Sequence, residues 1–299
     1  MIDRQQLPED GEIFLDHLAH FVPDMTLAEQ HLARLGFILT PFTAQNNRTA
    51  DGLVPAGTGN RCAMLRNGYL EFLTATSDTI LARRLEAALD RYTGVHLLAM
   101  AVPDAGAAAA HLQAEGFAPE PPVALSRAIA DAEGAEHEGR FSVVRVPPEA
   151  MPEGRIQILT HHTPAIVWQE RWLDHPNRVV SLEAALLFVA DPAEAASRYG
   201  RFLDRPAQAL SDGRWIVALD RGSLVFAPQG EGLAAAPTLP FIAGHALGSS
   251  DVEATRRHFR DAGCDEIAGA GEQWSYRLPS ALGGFATILA PGSSPSWAR

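Results

Sequence analysis

Cysteine is almost absent from this chain: two residues in 299, Cys62 and Cys264, far apart and without CxxC spacing. That excludes a disulfide framework, argues against a cysteine-based zinc site and predicts a cytoplasmic protein. Long apolar runs are also missing; none approaches the roughly 18–20 residues of a membrane-spanning helix. Positive charge is in deficit, with 24 Lys and Arg against 36 Asp and Glu and a net charge of −12. Nucleic acid and anionic membrane surfaces are therefore poor partners. The opening "MIDRQQLPEDGE" is polar and acidic and does not read as a secretory signal. What is present is 46% hydrophobic residues, ample for a globular core, and a length that predicts two domains.

The chain repeats itself. "IFLDHLAHFVPD" reads as a strand ending at Pro-Asp, and "MTLAEQHLARLGF" follows with Leu27, Ala28, Leu32 and Leu35 at helical spacing. Asp24 is placed as N-cap and Gly36 as the left-handed residue past the helix. "VHLLAMAVPD" and "AGAAAAHLQAEGF" do the same with Asp104 and Gly116. A looser copy covers residues 182–203, and a fourth covers 241–264 with Asp251 and Gly263. After each helix come short β-like segments, among them "YLEFLTA", "FSVVRVP", "RIQILTHH", "SLVFAPQ" and "FATILAP". The expectation is an α+β fold of four βαβββ modules. Modules 1 and 2 form a domain over 11–162, modules 3 and 4 a domain over 179–292, with a linker at 163–178. The stretch from Pro119 to Arg140 reads as an excursion within the second module, and "PGSSPSWAR" as a poorly ordered tail.

Glu71 is out of place in its strand, because a carboxylate among apolar neighbours needs a partner. Alternation puts Leu15, His17 and Ala19 on one strand face and Tyr69, Glu71 and Leu73 on another. If both faces line one concavity, His17 and Glu71 converge. A histidine with a carboxylate suits Mn, Fe, Ni, Co or Zn. A metal-free hydrogen-bonded pair is the alternative.

A paired βαβββ unit resembles the vicinal oxygen chelate superfamily, which includes glyoxalase I and extradiol dioxygenases. "LDHLAHFVPD", "GTGNRCAMLRNGYLEFL", "THHTP" and "HPN" are similar to the glyoxalase-like family within it. The resemblance implies that each pair of modules curls into a cup-shaped mixed sheet. It also implies a divalent metal held by residues of first and fourth strands, positions that His17 and Glu71 match. Aligning "GRIQILT" with "GYLEFLT" puts Gln157 at the place of Glu71. The place of His17 in module 2 falls on Leu97, which cannot ligate, with His96 one residue away.

Four more residues are site candidates. His161 is placed at the cup mouth as an acid or base acting on substrate. Asn60, in "GTGN", and Arg48 and Arg61 are placed as substrate contacts. "HPN" (175–177) could fold the linker over the cup. In modules 3 and 4 the metal positions fall on Ala184, Val225, Gly244 and Thr287, so no metal site is expected there. Three roles stay open for that half: packing against the first domain, covering its cup, or making a homodimer interface. The reading is a metal-dependent enzyme acting on a small oxygenated organic molecule by lyase, isomerase or dioxygenase-type chemistry. A metal-free binding or sequestration protein is the rival.

Overall fold

The computed structural model describes residues 6–49, 52–229 and 238–299. It contains the four βαβββ modules. Module 1 is β1 (Phe14–Phe21), α1 (Met25–Arg34), β2 (Thr43–Thr49), β3 (Gly52–Met64) and β4 (Tyr69–Ala75). The helix α2 (Ile80–Leu89) leads to module 2: β5 (Gly94–Ala101), α3 (Ala105–Ala114), β6 (Val123–Ala130), β7 (Glu136–Arg145) and β8 (Arg155–His161). A one-turn helix α4 (Pro164–Val167) precedes module 3: β9 (Val179–Phe188), α5 (Pro192–Leu203), β10 (Ala207–Ala209), β11 (Trp215–Ala218) and β12 (Ser223–Ala227). Module 4 is β13 (Phe241–Ser249), α6 (Val252–Asp261), β14 (Asp265–Ala270), β15 (Gln273–Arg277) and β16 (Phe285–Leu289). Among the described residues no helix is long and apolar enough to cross a membrane.

The helix starts follow from one residue type. Asp24, Asp104, Asp191 and Asp251 each accept backbone N–H bonds with their side chains at an N-cap. Each satisfies donors that the first turn leaves bare. Three of these helices are followed by a glycine at positive φ: Gly36, Gly116 and Gly263. After α5 the left-handed residue is Asp204, a side chain that tolerates that region.

The strands form two eight-stranded sheets of identical plan, in the orders β2-β3-β4-β1-β5-β8-β7-β6 and β10-β11-β12-β9-β13-β16-β15-β14. In every module the first and last strands pair in parallel, as β1 and β4 do. The two modules of each sheet join through antiparallel first strands, β1 with β5 and β9 with β13.

Each joining strand carries a bulge at the same place. Between Leu15 and His17 β1 advances two residues while β5 advances one, so Asp16 is extra. By the same count His96, Glu183 and Ala243 are extra in β5, β9 and β13. All four lie eight residues before the capping aspartate. A bulge breaks alternation locally and re-aims side chains.

The convex faces share a single core. Leu18, Leu70 and Ile158 of the first sheet and Leu187, Phe226 and Ile288 of the second belong to one buried cluster, with Leu32 of α1, Leu112 of α3, Phe202 of α5 and Phe259 of α6. Reciprocal turns stitch the sheets together. Asn67 N–H donates to Val180 O, and Leu15 N–H donates to Arg221 O. Gly68 makes the first turn at φ +79°, where a Cβ would lie 2.7 Å from the Asp16 carbonyl oxygen.

Several expectations need correction. The stretch 119–140 is no excursion: it supplies β6 and half of β7, paired in register from Val123↔Val143 to Ala130↔Glu136. Helix α2 was not anticipated; it lays Leu85 on the apolar part of the first cup. The tail is ordered, and Trp297 fills the second cup among Phe188, Val225, Phe241 and Phe285. Its indole N–H donates to Thr287 Oγ1 at 3.0 Å, the position equivalent to Glu71. "HPN" does not cross the first cup. His175 accepts from Ile38 N–H and donates to Met64 O, while Asn177 donates to Leu35 O, so the segment pins the end of α1 and β3.

Candidate functional site

The concave face of the first sheet is half apolar and half polar. Ala19, Phe21, Leu73, Leu97, Ala99, Val143 and Leu159 make the apolar half, covered by Leu85. The polar half opens into a cavity of about 480 Å³. His17 of β1, Glu71 of β4 and Gln157 of β8 all line it. Three first-and-fourth-strand positions picked by alternation thus meet one space.

Their hydrogen bonds define what each can do. Asp16 is fully buried and accepts from His17 Nδ1 at 2.7 Å and from His161 Nε2 at 3.0 Å. Burial opposes its ionisation, but the charges and hydrogen bonds of His161 and His17 outweigh that and hold the carboxyl well below the usual range. Because Asp16 only accepts, it fixes the His17 proton on Nδ1. The His17 Nε2 lone pair then faces Glu71 Oε2, 3.8 Å away. A cation between two such acceptors would satisfy both. Two metal–ligand bonds of about 2.1 Å can span that separation. The Tyr69 ring stacks on His17, 4.3 Å between centroids and 18° from parallel, and fixes its tilt.

Glu71 is also served from other sides. Asn60 donates its amide to Glu71 Oε1, and Arg127 Nη1 stands 3.9 Å from the same oxygen. Gln157 Oε1 is buried without a hydrogen-bond partner. An imidazole nitrogen, a carboxylate and a free amide oxygen around one cavity fit a divalent metal of borderline hardness. Among the described residues no group of three His, Cys, Asp or Glu is placed to hold one, so the amide is needed as third donor. Leu97 occupies the fourth place, as its register requires. His96, the bulge residue beside it, stacks between Tyr92 and Phe21 and bonds the Tyr92 carbonyl. Burial pushes its pKa down to about 4. Cys62 is directly opposite Glu71 in register. Burial and the Glu71 charge push its thiol up, so it stays protonated.

Three of the four remaining candidates sit elsewhere than expected. His161 does not line the cavity: its ring is sealed between Phe141 and Trp168, and it reaches the site only through Asp16. Asn60 binds Glu71 rather than open space. Arg61 lies on the opposite strand face, bonded to Thr40 O and ion-paired with Glu29 of α1 at 3.1 Å. Arg48 is on β2 opposite Leu53, and its side chain lies outside the described residues. Alternation in "FSVVRVP" and "GRIQILT" could have found Arg145 and Arg155, which share the face of Gln157. Asp16 gave no such signal, since alternation assigns it to the opposite face from His17.

The family model described as "Glyoxalase-like domain" matches residues 15–203, more than half the chain. The chain belongs to the glyoxalase-like domain family. Among curated proteins none matches it. A hypothetical protein from Staphylococcus aureus has a similar structure (TM-score 0.64, 11% identity, 93% of this chain and 99% of that one). So has the Mn(II)-bound glyoxalase from Novosphingobium aromaticivorans (0.54, 11%, 95% and 85%). The 2,3-dioxygenase LapB from Pseudomonas sp. KL28 is a third (0.55, 14%, 94% and 93%). At these identities the likeness is one of fold. This glyoxalase-like chain therefore has the vicinal-oxygen-chelate architecture.

Proposed function

We propose that the first cup is a divalent-metal centre held by His17, Glu71 and Gln157, and that the protein is a cytoplasmic enzyme acting on a small oxygenated organic substrate. Residues 11–162 carry the site, and residues 179–292 form a second domain whose cup is filled from within. The observation that carries this reading is the unshielded approach of His17 Nε2 to Glu71 Oε2, with the unpartnered Gln157 lining the same cavity. A metal bound there would act as a Lewis acid toward adjacent substrate oxygens, the chemistry behind lyase, isomerase and dioxygenase-type reactions. The chain's own residues hold the protons. Asp16 keeps His17 in one tautomer. Glu71 is a buried carboxylate of the cavity placed to take a proton from substrate, and Asn60 and Arg127 steady its charge.

A second reading has its own support. Leu97 leaves a donor missing, and Arg127 with Asn60 already compensates Glu71. Both facts favour metal-free binding of a small molecule. Elemental analysis of protein purified without a histidine tag separates the two. Near-stoichiometric transition metal, lost in Glu71→Gln and His17→Ala with the fold intact, supports the enzyme. No metal, and no uptake of added Mn, Fe, Ni, Co or Zn, refutes it and leaves the binding protein.

A further inference from the structure

Three guanidiniums, Arg127, Arg145 and Arg155, line the cup together with Gln157. Arg145 is directly opposite Gln157 in the β7–β8 pairing, and opposed residues share a sheet face. Arg155 lies two residues before Gln157 on β8, on that face again. Arg127 has Glu71 at 3.9 Å. Arg145 and Arg155 have no such partner: neither makes an ion pair among the described residues, and Arg145 Nε is buried without a hydrogen bond. Glu120 acts on Arg145 only at a distance. Glu71 likewise acts on Arg155 only at a distance. In a chain with 36 acids and 24 bases, two inward-facing guanidiniums without an ion pair are not a shortage of carboxylates.

That arrangement is costly without a ligand. Both guanidiniums are half-buried, and a charge partly withdrawn from water gains from a counter-charge. Both arginines also line a second cavity of about 520 Å³, which meets the first at Leu73, Leu81, Arg145 and Arg155. The pair stands at the junction of the two spaces and is reachable from both.

We propose that Arg145 and Arg155 form an oxyanion-binding subsite, and that the substrate of this cup is a small organic acid or phosphate ester. Its anionic group rests on the two guanidiniums, and its neighbouring oxygens face Glu71 and Gln157. The inference rests on the cup being the functional site, but not on its holding a metal. Planar guanidiniums bind carboxylate or phosphate through paired charge-assisted hydrogen bonds, a geometry that lysine cannot copy.

Calorimetric titration of the full chain near neutral pH tests this, with inorganic phosphate and malonate as separate probes and with and without manganese(II). One of the two oxyanions binds the wild type, and the tighter one tells phosphate ester from carboxylic acid. Arg145→Met and Arg155→Met each weaken it by about tenfold or more, and Arg155→Lys by less. Arg83→Met, at an exposed pair with Asp78, changes nothing. Unliganded Arg155→Met melts no lower than wild type, because it removes a half-buried charge that has no ion pair. If that variant does not fold, Arg155→Lys and Arg145→Met carry the test. Failure of both probes to bind, or binding that survives in the Arg145→Met/Arg155→Met double variant, overturns the subsite. Glu71→Gln separates the readings, since it removes metal while oxyanion binding persists. A chain that takes no metal yet binds phosphate or malonate through these arginines refutes the metal reading and leaves the subsite standing.

Discussion

Replacing Asp16 with asparagine keeps the shape of the bulge residue and removes its charge. In the native site Asp16 accepts from both His17 Nδ1 and His161 Nε2 with no exposure to water. Hydrogen bonds to a charged group contribute about 1.5–3 kcal/mol each. Asparagine can keep one bond by accepting from His17. It can keep the other only by donating to His161 Nε2, which forces the His161 proton onto Nδ1, a buried nitrogen without a partner. The expected net cost is about 2 kcal/mol, because both bonds become neutral and one histidine changes tautomer. Asp16→Ala leaves two imidazoles facing a void and costs roughly 3–5 kcal/mol. Urea unfolding measures both, read as a lower midpoint at unchanged slope. In the metal reading, Asp16→Ala also weakens metal affinity by about tenfold to a hundredfold, since nothing else holds His17 in its tautomer. Asp16→Asn as stable as wild type, with Asp16→Ala no worse, refutes the account of Asp16 as the bridging carboxylate.

Three further outcomes are expected. Trp297→Ala empties the second cup and costs about 3–5 kcal/mol in urea unfolding; a loss below about 1 kcal/mol means the tail does not seat as described. Leu97→His supplies the donor that module 2 lacks and tightens metal binding by about tenfold or more, measured by competition with a chelator; unchanged affinity sinks the assignment of the metal to that place. Burial pushes His20 and His96 down to about 4, so both stay neutral in the fold while the unfolded chain protonates near 6.5. Their contribution is complete above pH 6.5 and is lost as pH falls toward 4, then levels off. Urea midpoints across that range show the decline, and His96→Gln removes its share; a flat profile refutes it.

The fold was legible because one signal recurs: an aspartate cap after a strand, and in three of four modules a glycine after the helix. Single coincidences at that spacing are common, but four in order leave little room. His17, Glu71 and Gln157 were legible because alternation holds wherever strands are regular. Asp16 escaped for the converse reason, since a bulge is the place where alternation fails. Arg145 and Arg155 obeyed the rule but lie beside strands misread as loop, where alanine, glutamate and proline concealed the pairing of β6 with β7. Asn60 and Arg61 show how coarse a motif is: adjacent in sequence, they face opposite sides of β3, one toward Glu71 and the other toward α1. Trp297 had no local signal, because its cup is assembled from strands that lie up to about a hundred residues earlier.

The single core beneath both sheets makes two of the chain's five tryptophans, Trp168 and Trp297, contrasting optical reporters on one cooperative unit. Trp168 packs on His161 and Tyr69 at the edge of the open cup, whereas Trp297 sits at the bottom of the filled one. Occupation of the open cup raises the melting point of the whole chain by mass action, and both tryptophans register it together. Light emission from Trp168 also responds to events beside the Asp16–His161 pair that leave Trp297 untouched. A variant carrying only Trp168 and one carrying only Trp297 therefore separate local rearrangement from global stabilisation in the same titration, with the filled cup as the internal standard.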